Sequence, residues 1–345
     1  MEEFEGLADE MKIRLKQESN NTNLINDFAI ALMESRDYEG ALLQFKRAVK
    51  IKPNIQSLNN LGYFYYTEGE PTDDGHWKYE EKKAIEVLER AIELKPSSYF
   101  PYNLLGEIYT SNGNYKRAIE LLLMAISIQP TIENLNNLGV CYYKKSMLKE
   151  AAGSFKKAYS ARRKDNLSLH PLLGYGICIA KLGGRDEALK IAKELLIENE
   201  KLEDRFDRIE DQIAFIYYLT DEFNEFVSVY SKLNLAHYQV DWLPPYLYSL
   251  SKLGEVKKID QLLESLIQHK EQEIEETFED DDDWEPGRKE EYIGELRQDI
   301  DYLRSTKKEI FEGKRQVLEY EPNIEHACYL FGCRRHNHSH YHEQA

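Results

Sequence analysis

The sequence predicts an all-α fold, a solenoid of antiparallel helical hairpins, and three observations predict it. First, one register of small and large residues recurs. In 28–53, 105–130 and 138–163 a small residue (Ala29, Gly106, Gly139) is followed twelve positions later by alanine (Ala41, Ala118, Ala151). Four positions on stands a large apolar side chain (Phe45, Leu122, Phe155), and three later another alanine (Ala48, Ala125, Ala158). Second, short polar connections (SRDYE, SNGNY, KKSML) divide each copy in two. Third, Pro53 and Pro130 close the first two copies. A residue without an N–H that disfavours helix before it marks a helix end.

Each element follows in order. Residues 1–21 read as an amphipathic capping helix with an acidic start. In the copies themselves, apolar residues at three- and four-residue steps give every helix one buried stripe. Glycine or alanine on the first helix, facing alanine on the second, lets the two axes approach closely. The short connection then folds the second helix back antiparallel. A further copy runs through Leu61, Gly62 and Tyr65 to Ala84, Leu88, Ala91 and Pro96, and a fifth through Gly176, Ile179, Ala188, Ala192 and Leu195 without the proline. Weaker copies lie at about 206–231 (Ala214, Tyr217, Phe226, Tyr230) and 243–267, where larger residues replace the alanines.

This register resembles the tetratricopeptide repeat (TPR) family, whose units are helix–turn–helix hairpins stacked into a right-handed superhelix. The resemblance is well matched over 22–200, degenerate over 201–267 and absent beyond. It implies a right-handed TPR superhelix in which the first helix of each unit lines the concave side.

Two segments break the pattern. Gly62 to Ala84 is ten residues longer than the corresponding step in its neighbours, which places an insertion within 68–82. Pro71, the Asp73-Asp74-Gly75 turn and Trp77 suggest an ordered excursion, either a plain surface loop or a flap presenting His76 and Trp77 to a ligand. From 268 to 320 a long helical hairpin is expected as a C-terminal cap. Its first helix covers 257–278, its acidic turn 279–288, and its second helix 289–319 carries Ile293, Leu296, Ile300, Leu303, Ile310 and Val317 at heptad spacing. Lys307 and Lys314 interrupt that stripe, which favours a cap over a dimerising coiled coil. The Asp run lacks the spacing of a calcium loop.

Composition narrows the function. A hydrophobic fraction of 42% is enough for a packed core. A formal charge of -17 argues against nucleic acid, because phosphate backbones reward clustered Lys and Arg. Four cysteines make no disulfide framework in a chain this long. No signal peptide is visible and no apolar run is long enough for a bilayer, so a cytoplasmic protein without membrane contact is expected. No Gly-rich phosphate loop, nucleophile elbow or HExxH is present, and Cys141, Cys178, His170, His237 and His269 look like isolated residues. An enzyme is not expected.

Two clusters remain. Asn59, Tyr63 and Tyr66, with Asn60 beside them, share one helix stripe. Asn103, Glu107 and Thr110 form its equivalent in the third copy, and Asn136, Val140 and Tyr143, with Asn137, in the fourth. An Asn side chain carries a donor and an acceptor and can grip a peptide backbone whatever its sequence; some TPR proteins use such a ladder. The groove lined by Asn59, Asn60, Tyr63, Tyr66, Asn103, Glu107, Asn136, Asn137 and Tyr143 would take a peptide or helix of a partner protein. The other reading is that Asn-Asn-Leu-Gly opens and caps these helices. A Lys/Arg/Asn carboxylate clamp is not supported, because Asn26, Ile30, Phe100 and Leu104 stand where it would be needed.

The second cluster is the Cys/His-rich tail, 321–345. Cys328, Cys333, His336 and His338, with His340 and His342 as alternates, supply thiolates and imidazoles suited to Zn²⁺. Alternatively, Cys-x4-Cys sits in a short capping helix with Tyr329, Leu330 and Phe331 buried on the solenoid. The leading expectation is an interaction scaffold or adaptor. The rivals are a zinc-linked regulator using the tail, and an inhibitor or immunity-type protein that neutralises a toxin or enzyme through its acidic surface.

Overall fold

The structure, a computed structural model, describes residues 2–72, 76–162, 168–202, 209–231, 243–280 and 284–342. Asp73-Asp74-Gly75, the 281–283 acidic run and His237 lie outside these, as does the side chain of Trp77. The fold is an all-α solenoid of hairpins in two compact units, residues 1–174 with 322–345, and residues 175–321.

In the first unit, α1 (Glu2–Gln17) packs on α2 (Thr22–Glu34). The hairpins are α2/α3 (Tyr38–Ile51), α4/α5 (Ile55–Thr67, Glu81–Glu93), α6/α7 (Phe100–Ser111, Tyr115–Ile128) and α8/α9 (Ile132–Lys144, Leu148–Ser160). The predicted close approaches are present. A Cβ added at Gly62 would lie 2.6 Å from Leu88, one at Gly106 3.0 Å from Leu122, and one at Gly139 2.7 Å from the Phe155 ring. Leu88, Leu122 and Phe155 are fully buried.

Each hairpin turns through one left-handed residue, seven positions after its small residue. Arg36, Gly113 and Ser146 have φ of 68°, 72° and 60°. After Arg36 and Ser146 the next amide bonds back to the first helix, Asp37 N to Leu32 O at 2.8 Å and Met147 N to Tyr142 O at 2.9 Å. That bond satisfies a carbonyl the helix end leaves open.

The insertion uses the same device. Gly69 (φ 87°) occupies the turn position, and the amide that returns to the first helix is Glu80 N, bonded to Tyr65 O at 3.0 Å. The extra residues described, 70–72 and 76–79, lie between these two points. They pair as β1 (Glu70–Pro71) and β2 (Trp77–Lys78), antiparallel. A side chain on Gly69 would collide with the Lys78 carbonyl, so glycine is required there.

The second unit repeats the turn. α10 (His170–Lys181) runs into it and is followed by α11 (Arg185–Glu200), α12 (Glu210–Leu219), α13 (Phe223–Tyr230), α14 (Leu243–Lys252) and α15 (Val256–Glu279). Gly183, Asp221 and Gly254 are left-handed, with φ of 85°, 63° and 77°. Aromatic rings fill the space that alanines leave elsewhere: Tyr218 lies 5.1 Å from Phe226, and Phe226 lies 4.6 Å from Tyr230.

α15 and α16 (Arg288–Phe311) form the long antiparallel hairpin, packed on α14 and tied by Lys270–Asp299 (2.6 Å) and Lys307–Asp260 (2.8 Å). Lys307 thus pairs across the hairpin. The second helix ends earlier than the heptad pattern implied. Gly313 (φ 82°) stops it, with Lys314 N bonded to Glu309 O at 3.0 Å, and Val317 is 77% exposed. The chain then runs along α12, where Tyr218 Oη donates to Gln316 O at 2.6 Å and Arg315 donates to Tyr218 O at 2.6 Å.

Candidate functional site

The first helices α2, α4, α6 and α8 lie side by side and line one face of the first unit. Asn26, Asn59, Asn103 and Asn136 stand three residues before the small residue of each, so all four belong to this face. They are not caps. Asn54 with Ser57 closes the capping box of α4, and Thr131 with Asn134 that of α8. Asn59, Asn60, Asn136 and Asn137 sit within the helices, at most 1% exposed. A buried amide at mid-helix needs partners from outside the helix.

Residues 322–342 of the same chain supply them. Asn137 Nδ2 donates to Glu325 O (2.8 Å) and Asn137 Oδ1 accepts from Glu325 N (2.8 Å). Asn60 makes the same two bonds to Phe331, both 2.9 Å. The preceding asparagine in each pair reaches two residues back along the tail, Asn136 to Asn323 O (2.8 Å) and Asn59 to Tyr329 O (2.6 Å). The spacing is geometric. Glu325 and Phe331 are six residues apart and are held by helices two hairpins apart. At about 3.3 Å per extended residue, that is about 10 Å per hairpin, the separation of packed helices.

Side chains complete the fit. Tyr329, Leu330, Phe331 and Cys333 join the core of the repeat hairpins. Phe331 stacks on Phe100 with centroids 4.9 Å apart. Asn103 is buried on the same face, with neither amide atom hydrogen-bonded among the described residues. Glu107 Oε1 lies 2.6 Å from His326 Nδ1. Burial pushes the Glu107 carboxyl up against the pull of that histidine, while the hydrogen bond to Glu107 raises His326. Nearer the end, Asp27 holds His340 (3.3 Å), and Gln56 bonds both His340 Nδ1 and Tyr341 N (2.9 Å each).

Other predicted groove residues are placed differently. Tyr63 lies against Cys328 and is pushed up by burial. Tyr66 faces Ser111 at 3.4 Å, and Tyr143 is half-buried on α8. Tyr63, Tyr66, Glu107, Cys328 and His336 line a cleft of about 760 Å³ beside the tail. Sequence reasoning missed Asp27, Gln56 and Phe100, and discounted His170, which lies 3.1 Å from the Asn323 amide. The apolar Tyr329-Leu330-Phe331 run in a polar tail was the signal available for the occupant.

The Cys/His cluster is partly assembled, and not as a helix. Donor atoms of Cys328, Cys333 and His336 lie within 4.8 Å of one another, with Cys333 Sγ 3.2 Å from His336 Nδ1. His338 falls outside this triplet. Its Nδ1 faces Leu330 O at 3.0 Å, and its ring lies over His336 with centroids 5.6 Å apart. His340 is engaged by Asp27 and Gln56, and His342 is exposed. A hydrogen bond from Cys328, aided by His336, draws the Cys333 thiol down against burial; the same bond and burial push Cys328 up. By contrast, burial raises Cys141 to about 11 and Cys178 to about 12.

Comparison with known proteins agrees with the hairpin register. The tetratricopeptide repeat family model matches residues 101–132, a match that supports a tetratricopeptide-repeat protein. It is 25% identical over 235 residues to the TPR repeat-containing protein YvcD of Bacillus subtilis (strain 168), covering 63% of this chain. The match spans 42% of that relative's length. Among solved structures, MamA protein is 28% identical over 46% of this chain and 82% of its own, with a TM-score of 0.39. YrrB, described as a TPR protein with an unusual peptide-binding site, is 16% identical over 66% of this chain and 100% of its own, with a TM-score of 0.45. Among the described residues no helix is long and apolar enough to cross a membrane.

Proposed function

We propose that the asparagine-lined face of the first unit is a binding groove for an extended peptide of a partner protein, and that residues 322–342 occupy it in cis. The tetratricopeptide fold supports a protein–protein interaction scaffold in general. One observation carries the finer reading: the bidentate bonds of Asn60 to Phe331 and of Asn137 to Glu325 are the same contact, made twice, to backbone. Backbone recognition does not depend on whose chain supplies it, so a partner segment with suitable apolar side chains can replace the tail. The tail sets a threshold: an intramolecular ligand acts at an effective concentration on the order of millimolar.

The test uses a labelled synthetic peptide spanning 322–342 and full-length protein. Tyr329→Ala/Phe331→Ala protein, whose own tail is loosened, should bind the peptide at least about tenfold more tightly than wild type. Adding Asn60→Ala and Asn137→Ala should remove that binding. Binding that survives the asparagine substitutions would eliminate the groove.

A further inference from the structure

We propose that Cys328, Cys333, His336 and His338 form a Zn²⁺ site that fastens the tail over the groove. The fastening, though not the metal site, rests on the groove reading above.

The donor set is the first argument. Two thiolates and two imidazoles suit the tetrahedral N/S coordination of structural zinc. Bond lengths of about 2.3 Å to sulfur and 2.0 Å to nitrogen put neighbouring donors roughly 3.3–3.8 Å apart. Three donors already lie within 4.8 Å of one another, and the Cys333 Sγ to His336 Nδ1 separation is 3.2 Å. A small contraction closes the triplet.

The tautomer of His338 is the second argument. Leu330 O can only accept, so the nitrogen 3.0 Å away, Nδ1, carries the proton. Nε2 then keeps its lone pair. A ligand histidine whose other ring nitrogen donates to a backbone carbonyl is the usual outer-shell arrangement of zinc sites. The His338 ring centroid lies 5.6 Å from that of His336, with the planes 29° apart, and movement of His338 toward the triplet would supply the fourth ligand.

The position of the ligands is the third. Tyr329, held by Asn59, and Phe331, held by Asn60, both fall between Cys328 and Cys333. A metal joining residues 328 to 338 closes a loop around the groove-bound residues and lowers the entropy of the released tail. Zinc would hold the tail down, and its removal would open the groove.

Untagged full-length protein, loaded with zinc and dialysed, is analysed by mass spectrometry for metal, and Co²⁺ is substituted to report thiolate coordination optically. Expected are one zinc per chain, tetrahedral thiolate-type Co²⁺ bands, loss of both in Cys328→Ser/Cys333→Ser, and affinity weakened about tenfold or more in His336→Ala and His338→Ala. Peptide 322–342 should enter the wild-type groove more readily after chelation. Trace zinc only, equal zinc in the double-serine variant, or a Cys328–Cys333 disulfide in protein isolated without reductant would overturn the site. If chelation leaves peptide entry unchanged while Tyr329→Ala/Phe331→Ala admits the peptide, the fastening is wrong and the groove stands. If neither admits the peptide, the groove reading is wrong and the metal analysis stands alone.

Discussion

Gly139 and Gly153 lie on neighbouring helices and face opposite demands. A Cβ at Gly139 would sit 2.7 Å from the Phe155 ring, whereas one at Gly153 meets nothing within 4 Å. Gly139→Ala should therefore overpack the hairpin and cost about 1–3 kcal/mol. Gly153→Ala, inside α9, should stabilise by roughly 0.5–1 kcal/mol, because glycine loses more freedom on folding. Urea unfolding of the two variants measures both signs, and matching signs would contradict the packing account. The asparagines follow a similar logic of place. Asn59 and Asn60 read from sequence as either caps or ligands, and the capping box at Asn54 takes the cap role away from them.

The repeated turn explains how a hairpin tolerates ten extra residues. Because the left-handed residue and the returning amide are kept at Gly69 and Glu80, the helices of the second hairpin need not move. The excursion is tied back by Glu70, which pairs with Lys46 of α3 and Lys83 of α5. Burial works to raise the Glu70 carboxyl, but the two lysine hydrogen bonds outweigh it and the net shift is downward. A lowered folded-state value means the tie is complete above the ordinary carboxylate range. It is lost as pH falls through the folded value. Protection of the Thr72 amide, bonded to His76 O at 2.7 Å, should fall with acidification below that range in wild type. In Glu70→Gln it should be weak at all pH values. The lysines are about half exposed, so the tie is worth less than about 1 kcal/mol, and global unfolding should barely respond.

For the chain as a whole, the tail is part of the first unit's core rather than an appendage. Removing either large buried ring typically costs about 3–5 kcal/mol. Since about 1.4 kcal/mol is a factor of ten, Tyr329→Ala/Phe331→Ala should raise the open population of the tail by on the order of a hundredfold or more. Trypsin cleavage after Arg334 and Arg335 follows that population when reclosing is fast. The variant should be cut correspondingly faster there while the repeat helices stay intact. Equal cleavage rates would show that the tail is held by something other than these rings.

The hairpin register was legible because its information is short-ranged: small, large and alanine positions recur within each copy, and a single unit declares its partner helix. The stop of α16 at Gly313 was less so, since Val317, seven residues after Ile310, continues the heptad beyond the point where one left-handed residue ends the helix. The asparagine ladder was visible in the linear chain as a row of backbone-gripping groups, but not what fills it. An amide bonds any peptide equally, and only folding brings Gln56 to Tyr341, 285 positions away. Composition and periodicity therefore decided the helices and their pairing. Choice of occupant came from long-range proximity, because local pattern carries no record of which distant segment has the shape and apolar side chains to reach the face first.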